Sequence, residues 1–226
     1  MKKILSFIFL LIFLLVTDKA GSEIIPPANE EQEVYSLLRL ADLGLSQEAY
    51  KFAVKGFERL KKEGKLLNES VLTIIDFSQS SNKKRMYVLD LYKKALLFNT
   101  YVAHGRNTGD EFAEKFSNIP GTFQSSLGFF LTENMAIGSK VGLSLILKGL
   151  EKGFNDKARE REIIIHGADY ATEEFIQKHG RLGRSYGCPS LPPDLIKPVA
   201  ETIKNGSLLF IYKPDDNYVN KSPVLN

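Results

Sequence analysis

Apolar positions change their period along this chain. Ile4 to Val16 is an apolar run broken only by Ser6, with Lys2 and Lys3 ahead of it. From Glu30 to Gly64 the spacing becomes helical: Leu37, Leu38, Leu40 and Leu43 cluster in a first segment, and Tyr50, Ala53, Val54, Phe57 and Leu60 recur every three or four residues in a second. Ser46 is placed to cap that second segment, Glu48 follows in its first turn, and Gly64 supplies a stop. An amphipathic helical hairpin is expected, its apolar stripe packing on the body of the protein; the alternative use of that face is partner docking or substrate gating.

Beyond Asn68 the pattern shortens to strand-length runs between turn residues. Val71–Phe77 is one β-branched run, Ser80-Ser81-Asn82-Lys83 a turn, Arg85–Leu91 its hairpin partner and Ala95–Ala103 a third strand. The loop His104-Gly105-Arg106-Asn107-Thr108-Gly109 and the turn Pro120-Gly121-Thr122-Phe123 precede a strand over Leu127–Leu131. Further strands are expected at Leu143–Leu147, Glu162–His166 and Leu208–Tyr212, with short helices at Thr172–Lys178 and Pro193–Lys204. This order predicts an α+β fold: an antiparallel, β-rich domain with short helices behind an N-terminal helical hairpin. The chain divides accordingly into 1–22, 23–66 and 67–226.

Charge and cysteine content narrow the class. Lys2 and Lys3, the apolar run and the small residues Ala20-Gly21-Ser22 make a secretory signal-peptide pattern, and the run falls short of the ~20 residues of a spanning helix. An exported protein of the periplasm or cell envelope is expected, with no stable membrane span after cleavage. Outside residues 1–22 the chain holds 27 basic and 26 acidic residues, a net charge near +1, and its basic groups are short and scattered, so no nucleic-acid partner is indicated. One cysteine, Cys188, rules out an internal disulfide. Cys188, His166, His179 and His104 are the soft or borderline metal ligands, yet they lack the close paired spacing of zinc sites, so neither metal nor cofactor is expected. No Gly-x-Ser-x-Gly surrounds any serine, which removes the common serine-hydrolase pattern.

Candidate chemistry concentrates between Ile163 and Pro193. Ile163-Ile164-Ile165 reads as a buried strand ending at His166, with Gly167 allowing a sharp turn beside it. A free thiol ionises near pH ~8.5, and an imidazole within hydrogen-bond reach raises its reactive fraction. Gly187 is expected to clear the approach of a substrate carbonyl to Cys188, with N–H groups around Tyr186, Gly187 and Cys188 collecting an oxyanion; Pro189 restricts the backbone of the nucleophile. His179 beside Gly180 reads as a helix-end residue.

His166-Gly167 followed by Ser185-Tyr186-Gly187-Cys188 resembles the signature of the L,D-transpeptidases, the YkuD-like murein cross-linking enzymes, in a divergent subgroup. The resemblance covers about Val71 to Tyr212. It implies acyl transfer on peptidoglycan stem peptides through a thioester on Cys188, with His166 as general base and acid and the Gly167 carbonyl orienting the imidazole. Ser185, Tyr186 and Gly187 would line the nucleophile. Arg184 or Arg181 is the candidate for carboxylate recognition, the other reading of each being a solvated loop arginine, and His104 in its Gly-Arg-Asn turn reads as structural or substrate-lining. It also implies no cofactor and acylation by carbapenem-type inhibitors. Alternatives of the same resemblance are an L,D-carboxypeptidase and a non-catalytic peptidoglycan-binding envelope protein. Two departures stand out: Tyr186 occupies the place of the family's usual histidine, and Pro189-Ser190 that of an apolar residue and a substrate-contacting arginine.

Overall fold

A computed structural model describes residues 28–226. The signal-peptide expectation over residues 1–22, and the start of the helical segment, fall outside the described residues. No helix among the described residues is long and apolar enough to cross a membrane.

The body is one mixed sheet of eight strands: β1 (Val71–Asp76), β2 (Met86–Asp90), β3 (Ala95–Thr100), β4 (Gly128–Gly138), β5 (Gly142–Gly149), β6 (Ile164–Gly167), β7 (Ser190–Leu191) and β8 (Leu208–Tyr212). Their order is β3-β2-β1-β8-β4-β5-β6-β7, antiparallel except for the pairs β1–β8 and β6–β7. β1, β2 and β8 are buried along their whole length, which is why their sequences read as continuous apolar runs and not as alternations. Beyond Thr100 the chain leaves β3 and crosses to the opposite edge. There Ala103 N–H donates to the Ser190 carbonyl (2.9 Å) and Ser190 N–H to the Ala103 carbonyl (3.2 Å). This bridge joins the two sheet edges and makes the sheet barrel-like; it also ends the expected Ala95–Ala103 strand early.

Helix α1 (Ala28–Leu37) precedes α2 (Gln47–Lys62). Ser46 caps α2, its hydroxyl accepting from Ala49 N–H at 3.3 Å, and Gly64 takes a left-handed conformation just past the helix end. The predicted stripe Tyr50, Ala53, Val54, Phe57 and Leu60 is buried, and α2 packs on β1 and β8. At Gly56 the helix comes so close to the sheet that a Cβ would lie 2.2 Å from the Phe129 ring, so glycine sets the spacing of the two layers. The first half of the hairpin is shorter than its leucines suggest. The chain turns after Leu37, leaving Leu37 and Leu43 exposed while Val34, Tyr35 and Leu40 are buried. On one continuous helix those leucines would have spread around the circumference, more than a single packed face can cover.

Two differences from the expected elements shape the site. β4 runs seven residues past the predicted end at Leu131, and β5 slightly overruns both ends of Leu143–Leu147, forming a long hairpin with a bulge between Thr132 and Met135. Its tip is exposed or half-buried on both faces, with Ile137 at the surface, so it carries no regular alternation of buried and exposed positions for a sequence reading to detect. A C-terminal helix α5 (Asp216–Lys221) also forms, held by Tyr218. The Tyr218 hydroxyl donates at 2.8 Å to the fully buried Glu151 carboxylate, which also accepts from Phe129 N–H at 2.7 Å and from the Ser222 hydroxyl. The two remaining helices, α3 (Glu173–His179) and α4 (Ile196–Ile203), fall within or beside their predicted spans. His179 lies in the last turn of α3, ahead of the left-handed Gly180 cap.

Candidate active site

Strand pairing brings His166 and Cys188 together. β6 and β7 run parallel with His166 opposite Ser190, so the loop carrying Cys188 ends two residues later at the register position facing the histidine. Both side chains line one cleft of about 1610 Å³, walled on another side by the β4–β5 tip, residues 136–141. Parallel pairing of two short strands that are distant in sequence is a tertiary outcome, invisible to local pattern.

The histidine is fixed at both ring nitrogens. Nδ1 lies 3.0 Å from the Gly167 carbonyl, which can only accept, so Nδ1 carries the hydrogen in the neutral ring and Nε2 keeps a lone pair. Nε2 meets the Ser190 hydroxyl at 3.1 Å, and the Tyr170 hydroxyl meets that same Ser190 oxygen at 3.1 Å. Ser190 is fully buried and His166 only 7% exposed, so this short chain is shielded from solvent. Ser190 thus occupies Nε2, and Tyr170 holds Ser190 there.

Cys188 is half-buried. Its thiol is directed at the Glu162 carbonyl, 3.5 Å away, while His166 Nε2 is engaged by Ser190. Burial pushes the thiol above its ordinary range; a backbone hydrogen bond from Ile164 and the Arg161 guanidinium pull it back down. Arg161 is a residue the sequence reading missed. It sits in the charged run Lys157–Glu162, which looks like a solvated loop, yet its guanidinium donates to the Ser117 carbonyl (2.6 Å), the Ser126 hydroxyl and the Gln124 carbonyl. Burial lowers its own pKa, with the neighbouring Cys188 sulfur acting in the opposite sense.

The loop before the cysteine is braced from within. The Ser185 hydroxyl donates to the Cys188 carbonyl at 2.6 Å and accepts from Gly187 N–H at 3.0 Å. Gly187 adopts φ +126°, and a Cβ there would lie 2.9 Å from the Gln124 carbonyl oxygen. Glycine at 187 is therefore required by the backbone conformation and by the protein's own Gln124 carbonyl. One expectation is corrected: the Gly187 N–H is committed to Ser185 and is not free to collect an oxyanion. Ser185 is accordingly a loop brace more than a substrate contact. The N–H groups of Tyr186 and Cys188 have no hydrogen-bond partner among the described residues.

The remaining predicted residues separate into rim and core. Tyr186 is 68% exposed at the cleft. Arg184 also lines it, but its guanidinium is held by Asp110 and the Gly109 carbonyl, and Arg181 donates to the Leu182 carbonyl at 2.8 Å. His104 is the clear correction: it is 1% exposed, outside the cleft, with Nδ1 2.8 Å from Arg85 Nη2 and Nε2 3.3 Å from the Gly109 carbonyl. The Gly-Arg-Asn turn after it is on the surface; the imidazole points into the core, where buried Arg85 needs an acceptor. Among the described residues no group of three or more His, Cys, Asp or Glu side chains is placed to hold a metal ion.

Burial, and then the Arg85 charge, push the His104 pKa down from 6.5 to about 3. The unfolded chain therefore takes up a proton at His104 below pH ~6.5 that the folded protein refuses, and the stability this site contributes is complete above that pH and lost as pH falls toward 3. The full difference corresponds to roughly 5 kcal/mol. Urea midpoints measured from pH 7 to pH 4 should fall steeply, and His104→Gln should flatten that slope. An unchanged slope would rule the assignment out.

The chain matches the L,D-transpeptidase catalytic domain family over residues 41–212. No curated protein matches it. Similar solved structures include an L,D-transpeptidase from Mycobacterium smegmatis, at 12% identity and TM-score 0.41 over 64% of this chain and 59% of that one. Another is an L,D-transpeptidase from Stackebrandtia nassauensis, at 14% identity and TM-score 0.39 over 74% and 68%. A third is the helical cell shape determining protein from Campylobacter jejuni, at 15% identity and TM-score 0.43 over 72% and 57%. The chain thus spans 59% of the length of the Mycobacterium smegmatis protein. A match running from the turn before α2 to the end of β8, with His166, the Ser185 loop and Cys188 all inside it, shows that this chain belongs to the L,D-transpeptidase catalytic domain family.

Proposed function

We propose that the protein is an L,D-transpeptidase of the cell envelope, transferring peptidoglycan stem-peptide acyl groups through a thioester on Cys188. The observation that carries this reading is the convergence of the only cysteine and a tautomer-fixed histidine on one large cleft. Cys188 would lose its proton to His166 Nε2 once Ser190 turns aside, and the thiolate would attack the carbonyl at the L-centre of a diamino acid. The developing oxyanion would be met by the unpartnered N–H groups of Tyr186 and Cys188. As the carbon–nitrogen bond breaks, the leaving D-alanine amine takes the proton from the imidazolium. An acceptor amine then attacks the thioester, gives its proton to His166, and releases the thiol. The Arg161 charge favours the thiolate, both before it attacks and as it leaves the thioester.

The test is incubation with purified muropeptides followed by mass analysis. Loss of a terminal alanine with formation of dimers is the expected result. Loss of alanine with addition of water and no dimer would make the enzyme an L,D-carboxypeptidase instead. Unchanged masses would leave a non-catalytic binding protein.

A further inference from the structure

The cleft is lined by five arginines, and four of them are occupied. Arg159 pairs with Glu133 at 2.8 Å, Arg161 serves the Ser117, Ser126 and Gln124 oxygens, Arg181 the Leu182 carbonyl, and Arg184 the Asp110 carboxylate. Arg106 differs. Its guanidinium carbon lies 4.7 Å from the Phe123 ring centre and 5.2 Å from the Tyr186 ring centre, and among the described residues its side chain has no hydrogen-bond or ion-pair partner. This is so although Asp110, Glu111 and Glu114 line the small groove that Arg106 also borders. Its backbone is tightly held: Arg106 N–H donates to the Ser185 carbonyl at 2.8 Å, and the next residue donates from its N–H to the Phe123 carbonyl at 3.2 Å.

An arginine against aromatic faces keeps the N–H donors along the edge of its plane available, in the fork geometry that matches a carboxylate. Here the fork is exposed at the rim of the cleft that holds Cys188. We propose that Arg106, supported by Phe123 and Tyr186, binds a free carboxylate of the substrate peptide. The inference rests on the reading that this cleft takes stem peptides, and it assigns a role to the tyrosine that stands in place of the family's usual histidine: Tyr186 is a positioning residue for the guanidinium. Lys140, on the β4–β5 tip, is the competing cation in the cleft, but it offers a point charge without a planar fork.

The test uses the full chain carrying Cys188→Ala, so that binding is read without turnover, and titrates it calorimetrically with a synthetic stem tetrapeptide and with the same peptide amidated at its carboxyl groups. Arg106→Met should weaken binding of the free peptide roughly tenfold to a hundredfold and leave the amidated peptide unaffected, as expected for loss of one charge-assisted pair. Arg106→Lys should recover only part of the loss. Tyr186→Ser should erode the preference for the free peptide, and Tyr186→Phe should retain it. Equal affinity of Arg106→Met and its parent for the free peptide would overturn the inference alone. So would a parallel loss for both peptides, or a loss on Lys140→Met in place of Arg106→Met. If neither peptide binds the parent protein, the stem-peptide reading of the cleft itself fails, and the carboxylate site with it.

Discussion

Replacing Cys188 with alanine should abolish covalent labelling by a carbapenem and reduce stem-peptide turnover by about 10⁵-fold or more, the scale seen when a catalytic nucleophile is deleted. Neither serine of the segment around the cysteine is free to replace the sulfur. The Ser185 hydroxyl is consumed by the Cys188 carbonyl and the Gly187 N–H, and the Ser190 hydroxyl is buried between His166 and Tyr170. Intact-mass spectrometry of the parent protein should show one adduct, mapping to Cys188, and none in the variant. Because the thiol is only half-buried and makes one long contact with the Glu162 carbonyl, the variant should lose no more than ~1 kcal/mol of stability, so circular dichroism should show an intact fold. Burial raises the thiol pKa, so the rate of alkylation by iodoacetamide should keep climbing with pH beyond the range where an ordinary free cysteine levels off. An adduct persisting in the alanine variant would remove Cys188 from the mechanism.

His166→Gln should slow acylation by about 10²- to 10⁴-fold, the usual contribution of a positioned general base. The substitution keeps a polar group at the end of β6 but removes the lone pair at Nε2 that the Gly167 carbonyl creates by holding the hydrogen on Nδ1. The expected signature is a change in the shape of the pH–rate profile as well as in its height. In the variant the rate should follow ionisation of the thiol alone, because no basic side chain remains at that position to accept its proton. Stopped-flow measurement of carbapenem acylation from pH 6 to pH 10 separates the two. A parent-like rate in the variant would mean that the thiol is activated by something other than His166, and Arg161 would become the leading group.

Much of this architecture was legible because it is local. Ser46, the three- and four-residue spacing from Tyr50 to Leu60 and Gly64 define a capped helix whatever lies beneath it, and the apolar runs at Val71–Asp76 and Leu208–Tyr212 identify buried strands. His166 at a strand end and a lone cysteine in a glycine-containing loop were readable for the same reason. What escaped depends on partners distant in sequence. Arg161 looks solvated in its charged run, and only the carbonyls of Ser117 and Gln124, some forty residues earlier, turn it inward beneath the cysteine loop. For His104 the sequence leaves a structural and a substrate-lining role open, and only Arg85, the residue ahead of β2, set against its ring decides for the first. Ser190 stood out in the sequence only as the residue where an arginine was anticipated.

The sequence by itself determined the capped helix α2, the buried strands β1, β2 and β8, that one thiol would be available, and which histidine lay at a strand end, because capping, periodicity and composition act over a few residues. Only the tertiary structure decided that His166 and Cys188 share a cleft, that the Gln124 carbonyl leaves no room for a side chain at Gly187, that His104 belongs to the core, and that Arg106 alone among the cleft arginines is left without a polar partner among the described residues. Those outcomes follow from the parallel pairing of β6 with β7 and from the bridge that joins the two sheet edges, and such pairings are selected by the burial of the whole sheet and not by any residue's neighbours in the chain.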